Sequence, residues 1–239
     1  MRFQDAARDA RAVVYAGIQA DPLVARSAEL LTEATPAQRL LARAAMNGES
    51  TDSTTWRTIF PDLFENLGRR AAAPAGDTEP DRSEAILHVS LAVASRGEQA
   101  RSQYRGAIIE ALTERLLARR VPAERIRRER RILFDGVRAE IHPYDVTVEL
   151  ADRAEVYDCK WGARGINADV LLQLDAARTN AAAEDARLLV ALVVFDARRS
   201  CRVRLARQSA PVSGIRLVTI ETLDALGRVR AATADRAAT

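Results

Sequence analysis

The hydrophobic period of the chain changes near residue 125, and this change limits the fold more than any other feature of the sequence. Upstream of it, apolar residues recur at the three- and four-residue spacing of helices. Downstream, side chains alternate, which predicts three strands over residues 126–134, 139–150 and 154–161. A helical pattern over 166–184 and an apolar run over 188–195 then predict a helix and a strand buried on both faces. The order predicts an α/β fold whose mixed sheet is flanked by helices.

The rest of the chain divides into regions of different composition. Residues 1–70 are predicted to form an all-helical N-terminal region, and 84–230 the α/β domain. Residues 71–83 contain two prolines and a glycine without apolar periodicity, which predicts a linker or long loop. Residues 231–239 are predicted to be a flexible tail. Further short elements are predicted as strands over 203–205 and 215–220 and a helix over 221–226.

Composition restricts the class of protein. Hydrophobic residues make up 48% and charged residues 29% of the chain, as in globular proteins. The sequence contains no apolar run of membrane-spanning length and does not begin like a signal peptide. Its two cysteines are too few for a cysteine metal cluster or a disulfide framework. These features predict a cytoplasmic protein, and the net charge of +3 permits nucleic-acid binding.

Lys160 is the only lysine in the chain; the other basic residues are arginines. Arginine is a planar fork with a permanent charge, whereas lysine is a compact point charge. A chain that uses arginine almost everywhere therefore suggests a site at Lys160 where a guanidinium would not serve. Asp158 lies two residues earlier, and strand side chains alternate, so both should share one face of the sheet.

The middle predicted strand has one apolar and one polar side. Its apolar side comprises Tyr144, Val146, Val148 and Leu150. Its polar side comprises Asp145, Thr147 and Glu149. Since this strand precedes that of Asp158 and Lys160, Asp145 is expected near them. Carboxylates on adjacent strands can hold Mg²⁺, which activates water and neutralises phosphate oxygens.

Two aspartates on adjacent strands, with a lysine two residues after the second, resemble the PD-(D/E)XK nuclease superfamily. The resemblance extends over about residues 100–195 and implies a restriction-endonuclease-like fold. It also implies a nuclease that uses Mg²⁺, with Mn²⁺ as a substitute, to hydrolyse phosphodiester bonds in DNA. A role in prokaryotic genome defence or DNA processing would fit. The sequence departs from the family pattern at Tyr144, which separates Pro143 from Asp145.

The resemblance assigns roles to individual residues. The predicted catalytic residues are Glu110, Asp145, Asp158 and Lys160. The predicted metal ligands are Glu110, Asp145, Asp158 and the backbone carbonyl of Cys159. Lys160 would orient the attacking water or stabilise developing charge. Gly106, one turn before Glu110 on a predicted helix, would allow close approach. The predicted nucleic-acid-binding residues are Arg105, Arg164 and Gln173, although position 177 is alanine where branches with such a glutamine have tyrosine.

Other interpretations of the same residues stay open. Asp158 and Lys160 could form a surface ion pair, Asp145 could be a strand-end acid, and Glu110 could be solvated on its helix. The protein could also be a nucleic-acid-binding module without catalysis on the same fold, or an assembly subunit whose nuclease is latent until it is recruited. In the latter case its N-terminal helices would dock onto a larger defence or motor protein, or form a homodimer.

Overall fold

A computed structural model of the protein describes residues 1–6, 10–48, 50–64, 79–135, 137–138 and 142–228. The helices are α1 Ala10–Gln19, α2 Pro22–Thr32, α3 Pro36–Asn47, α4 Ser53–Ile59, α5 Glu79–Ala94, α6 Glu98–Leu117, α7 Ala168–Ala183 and α8 Arg198–Leu205. Short 3₁₀ helices cover Pro61–Leu63, Ala123–Arg125, Ala163–Gly165 and Ile220–Leu226. Across these described ranges, no helix has the length and apolarity needed to cross a membrane.

The strands form one mixed sheet, so the chain has an α/β fold. They are β1 Arg2–Asp5, β2 Ile126–Phe134, β3 Val137–Arg138, β4 Tyr144–Glu149, β5 Ala154–Lys160, β6 Leu188–Val194 and β7 Arg216–Val218. Their order is β1-β2-β4-β5-β6-β7, with β3 paired to β2. Strand β4 runs antiparallel to its two neighbours, β2 and β5. Strands β5, β6 and β7 run parallel to one another and are connected through α7 and α8. The predicted three strands, helix and buried strand are therefore confirmed.

Local sequence signals account for several element boundaries. Thr35 caps α3 through a capping box with Gln38, and Pro36 occupies the first turn. Asn167 caps α7 by accepting a hydrogen bond from the Val170 amide. Of the proposed linker 71–83, residues 71–78 lie outside the described part of the chain, as does the predicted tail 231–239, whereas residues 79–83 form the first turns of α5 and are not a loop.

Two further predictions of local structure are wrong. Residues 203–205 are not a strand but the end of α8, because Cys201 is buried and Leu205, four residues later, packs with it against the core. Alternation over three residues cannot distinguish this arrangement from a strand. The region 1–70 also contains a strand, β1, which pairs with the outer edge of β2. Its four residues carry little apolar pattern, and only pairing with β2 makes it a strand.

Each face of the sheet is covered by a separate apolar core. The first core, called the α6 core, contains α6 together with Val146, Val148, Tyr157 and Val193 of the sheet. The second, called the α7 core, lies on the other face. It contains Tyr144, Val156, Val190, Leu192 and Val194 with residues of α7 and α8.

The regular alternation of side chains between the two faces of the sheet is interrupted beside Glu129, and one prediction is wrong for this reason. Tyr144 was expected on the same face as Val146, but it lies in the α7 core and Val146 in the α6 core. The ladder pairs Val146 with Arg128 and Tyr144 with Arg130, and Glu129 between them has φ of +52°. A non-glycine residue with positive φ interrupts strand alternation. Asp145 lies opposite this interruption.

The N-terminal helices share the α6 core with the sheet. Val24, Leu31 and Met46 belong to the same buried cluster as Tyr157 of β5. Arg39 of α3 is completely buried and adds polar connections: its guanidinium donates to the carbonyls of Leu31 (3.1 Å) and Ile220 (3.4 Å) and to Asp224 (2.7 Å). Whether residues 1–70 and 84–230 behave as separate domains stays a prediction, and the shared core argues for joint unfolding.

We expect the substitution Leu31→Ala to destabilise both parts of the chain together, by about 2–5 kcal/mol. The chain's two tryptophans allow a direct measurement, because Trp56 follows α3 and Trp161 follows β5. Denaturation is followed by fluorescence in the Trp56→Phe and Trp161→Phe backgrounds. Equal shifts of both midpoints are expected, with Val13→Ala, at a 62% exposed position, as the control. A shift confined to Trp56 would show independent domains.

Candidate functional site

Asp158 and Lys160 form an ion pair at the C-terminal end of β5. Only 7% of the Asp158 side chain and 26% of the Lys160 side chain are accessible, so this is not a surface ion pair. Their neighbours across the ladder are Leu192 and Val194 of the α7 core, which places both side chains on that face. Burial lowers the pKa of Lys160, but the negative charges of Asp158 and Asp145 outweigh burial and raise it above its ordinary value. The lysine therefore keeps its proton.

Asp145 lies beside this pair on the neighbouring strand. The antiparallel ladder of β4 and β5 ends at the pair Val146–Tyr157, and Asp145 and Asp158 are the residues directly beyond this pair. The Asp145 carboxylate accepts a hydrogen bond from the backbone amide of Cys159 at 2.5 Å. Burial and the negative charges of Asp158 and Glu110 raise the pKa of Asp145 well above its ordinary value, although Lys160 and this amide oppose the shift. In the absence of a cation, the surroundings of Asp145 thus oppose ionisation of its carboxyl group.

Glu110 approaches Asp145 from α6, on the opposite face of the sheet. It is 5% exposed, and α1 supplies a donor to each of its oxygens. The Tyr15 hydroxyl donates to Oε1 at 2.5 Å, and the Gln19 amide donates to Oε2 at 2.8 Å. Burial raises the pKa of Glu110 to about 7 despite these hydrogen bonds. It is therefore not a solvated helix residue.

Asp145 connects the two halves of this cluster, because its carboxylate interacts with Lys160 and Asp158 as well as with Glu110. Among the residues that the structure describes, no group of three or more His, Cys, Asp or Glu side chains has the geometry to hold a metal ion. The Cys159 side chain faces α6, where its sulfur lies 3.5 Å from the Thr113 hydroxyl. Only the backbone of Cys159 is thus directed along the ladder beside Asp145.

A tight turn encloses the stem of Lys160. A Cβ on Gly165 would lie 2.9–3.1 Å from three carbons of the Lys160 side chain, so this glycine permits the close packing. Gly162 has φ of +91°, which favours glycine. Asp196, at the end of β6, holds the turn by accepting hydrogen bonds from the Ala163 amide (2.8 Å) and Arg43 (2.7 Å). Sequence analysis missed Asp196; its place after the buried strand β6 was the available signal.

The three residues predicted to bind nucleic acid lie in different environments. Arg164 is exposed on the turn just after Lys160. Gln173 is 7% exposed, and its amide is joined to the backbone of His142 by two hydrogen bonds of 3.1 and 3.2 Å. The Arg105 guanidinium bonds to Asn47 and Glu98, each at 2.9 Å. Of the three, Arg164 is therefore the one directed to solvent beside the cluster.

Comparison with known proteins identifies no family. No protein-family model and no curated protein matches the chain. Among solved structures, protein VC1899 from Vibrio cholerae is similar with 19% identity and a TM-score of 0.45, over 87% of this chain and 55% of that one. Can2 from Sulfobacillus thermosulfidooxidans, solved in complex with cyclic tetra-adenylate, is similar with 14% identity and a TM-score of 0.39. That match covers 80% of this chain and 52% of Can2, so the chain spans about half of each.

The buried Glu110 predicts a specific pH dependence of stability in metal-free buffer. Its folded pKa of about 7 lies above the ordinary 4.5, so the folded state binds this proton more tightly than the unfolded state. The resulting stabilisation is complete below pH 4.5 and is lost as pH rises to 7, by up to about 3 kcal/mol. The free energy of unfolding of Glu110→Gln should lack this decline. Glu29→Gln, at an exposed position, should keep it; a wild-type-like slope in Glu110→Gln would contradict the assignment.

Proposed function

We propose that this protein is a metal-dependent nuclease that hydrolyses phosphodiester bonds, with DNA as its substrate. The observation that carries the proposal is the buried cluster in which Asp145 touches the Cys159 backbone and interacts with Asp158, Glu110 and Lys160. Burying charges is costly unless they are fully paired, and a buried cluster of acids with shifted pKa values is typical of a functional site. Here the only lysine of the chain lies beside two carboxylates, Asp158 and Asp145, at a strand end, and Asp145 interacts in turn with Glu110. A restriction-endonuclease-like arrangement would account for this placement.

The chemistry of the donor set fits Mg²⁺. The carboxylate oxygens of Asp145, Asp158 and Glu110 are the type of ligand that this ion prefers. The raised pKa of Asp145 means that a bound cation would favour its ionised form. The Cys159 backbone carbonyl is the fourth proposed ligand. When bound, Mg²⁺ would lower the pKa of a coordinated water and neutralise phosphate oxygens. Mn²⁺ has the same ligand preference and should substitute.

Lys160 has an electrostatic role in this proposal. Because its pKa is raised, Nζ stays protonated and cannot accept a proton from the attacking water. Its ammonium group instead donates a hydrogen bond that orients the water and faces the charge developing on the phosphate. In the reaction, the water oxygen forms a bond to phosphorus as the bond to the leaving sugar oxygen breaks. The attacking water releases its proton to bulk solvent, and the leaving oxygen takes up a proton from bulk solvent.

An arginine surface beside the site is proposed to hold the DNA backbone. Helix α8 packs against the turn at Ala163–Gly165, and Arg204 donates to the Ile166 carbonyl at 2.9 Å. The exposed arginines of this surface are Arg164, Arg198, Arg199 and Arg202. None of the ion pairs found among the described residues involves these four side chains. By contrast, Arg120, Arg128 and Arg130 pair with glutamates.

The other two predicted DNA contacts receive supporting roles. The hydrogen bonds of Gln173 fix the backbone at His142, just before β4, and so help to place Asp145. Arg105 connects α6 to the end of α3. A place for the protein in genome defence or DNA processing stays a prediction.

The substitution Lys160→Arg should nearly abolish cleavage while leaving the fold and DNA binding intact. The longer, forked guanidinium would shift the charge by about an ångström, which can cost on the order of 100-fold in rate. The test is conversion of plasmid DNA by purified protein with Mg²⁺, with Mn²⁺ and with EDTA. Asp158→Asn should be equally inactive and should also bind metal more weakly.

The reverse exchange at the exposed Arg26, Arg26→Lys, is the matched control and should cleave like wild type. Wild-type protein that binds DNA but does not cut it with either metal would favour the non-catalytic binding module. Cleavage by Lys160→Arg at the wild-type rate would refute the proposed role of the lysine.

Replacing Arg198, Arg199 and Arg202 together with glutamine should weaken DNA binding and reduce its salt dependence. Each lost phosphate contact lowers the slope of log K against log salt by about 0.9, so a reduction of about 2–3 is expected. Binding is measured by fluorescence anisotropy in EDTA over a range of salt concentrations. The control triple replaces Arg125, Arg153 and Arg187, exposed arginines at the opposite end of the strands. Equal losses in both triples would indicate only a net-charge effect.

A further inference from the structure

Helix α1 contributes directly to the candidate site, although it lies outside the region that resembles nucleases. Tyr15 and Gln19 are four residues apart and so lie on one face of the helix. Both donate to the same carboxylate, that of Glu110, at 2.5 and 2.8 Å. Each oxygen of Glu110 thus has its own donor from α1. On the outer side of α1, Val13 and Val14 are 62% and 60% exposed.

The surface of α6 is shaped to admit the tyrosine. A Cβ on Gly106 would lie 2.9 Å from the Tyr15 hydroxyl oxygen, so a larger residue would displace it from Glu110. Gly106 therefore permits a close approach, and the group that approaches is Tyr15. A tyrosine that merely anchored α1 would not require contact with a carboxylate of the charged cluster.

The geometry around Tyr15 shows its donor role. Its hydroxyl lies 2.5 Å from Oε1 of Glu110, and an ionised carboxylate can only accept the hydrogen bond that joins them. A carboxylate oxygen has two lone pairs, so each Glu110 oxygen can accept one hydrogen bond and still face a cation. The two donors fix the direction of the remaining lone pairs.

We propose that Tyr15 and Gln19 are positioning residues that orient the Glu110 carboxylate for metal-dependent hydrolysis, so that α1 is part of the nuclease site. This inference rests on the proposed function. Groups that orient a metal ligand typically affect activity or metal affinity by about 10- to 100-fold. Tyr15→Phe removes one such donor and leaves the aromatic ring in place.

The test measures kcat, KM for DNA and the Mg²⁺ concentration at half-maximal rate for full-length Tyr15→Phe, and its Mg²⁺ affinity without DNA by isothermal titration calorimetry. A fall in kcat of about 10- to 100-fold, with a higher Mg²⁺ requirement and unchanged KM, is expected. The double variant Tyr15→Phe/Gln19→Met should have a kcat no lower than that of Glu110→Gln. All three substitutions act on the same group, the Glu110 carboxylate, so their effects should not add. Thermal melts of each variant establish that it is folded.

The matched control is Tyr104→Phe. The Tyr104 hydroxyl donates to Asp21, so this variant loses the same kind of tyrosine–carboxylate hydrogen bond away from the cluster. It should keep kcat and the Mg²⁺ requirement of wild type. The inference is overturned if Tyr15→Phe has the kcat and the Mg²⁺ requirement of wild type. It is also overturned if Tyr104→Phe lowers kcat as much as Tyr15→Phe does. If the wild-type protein cuts no DNA, the proposed function and this inference both fall. If it cuts and only Tyr15→Phe is unaffected, the inference alone falls.

Discussion

The burial of Asp145 beside two other acidic side chains is the constraint on which the site depends. Its carboxylate lies against the amide of Cys159 and near two other acids, with Lys160 as the lysine that opposes them. Such an arrangement is unfavourable for stability alone, because buried like charges repel and cannot all ionise at low cost. The surrounding structure must hold them in place. The same electrostatic imbalance makes a divalent cation a favourable ligand, and this links the stability of the fold to the proposed chemistry.

Several contacts that are distant in sequence hold this charge cluster. Opposite Glu129 of β2, the residues Tyr144 and Val146 of β4 enter different cores, and Asp145 lies between them. The turn after Lys160 is fixed by Asp196 from β6. On the other face, α6 carries Glu110, and α6 itself packs on α2. The cluster therefore draws on both cores, and the fold and the site are stabilised by the same packing.

The N-terminal helices contribute to this packing. Val24 and Leu31 belong to the α6 core, and the buried Arg39 connects α3 to the C-terminal 3₁₀ helix. Helix α1 adds two hydrogen bonds to Glu110. The N-terminal helices, which lie outside the region that resembles nucleases, thus share a core with the sheet and, in our proposal, orient a metal ligand.

The sequence alone determined the elements whose patterns are local. Strands β2, β5 and β6 and helix α7 follow from alternation, apolar runs and a capping residue, because these signals act within a few residues. The single lysine and its spacing from Asp158 identified the ion pair for the same reason. Tertiary structure alone decided the face switch at Glu129, the strand β1 and the burial of Gln173. It also decided the contacts of Tyr15, Gln19 and Asp196. Tyr15 and Glu110 are 95 residues apart in sequence, and only the packing of α1 on α6 brings them together.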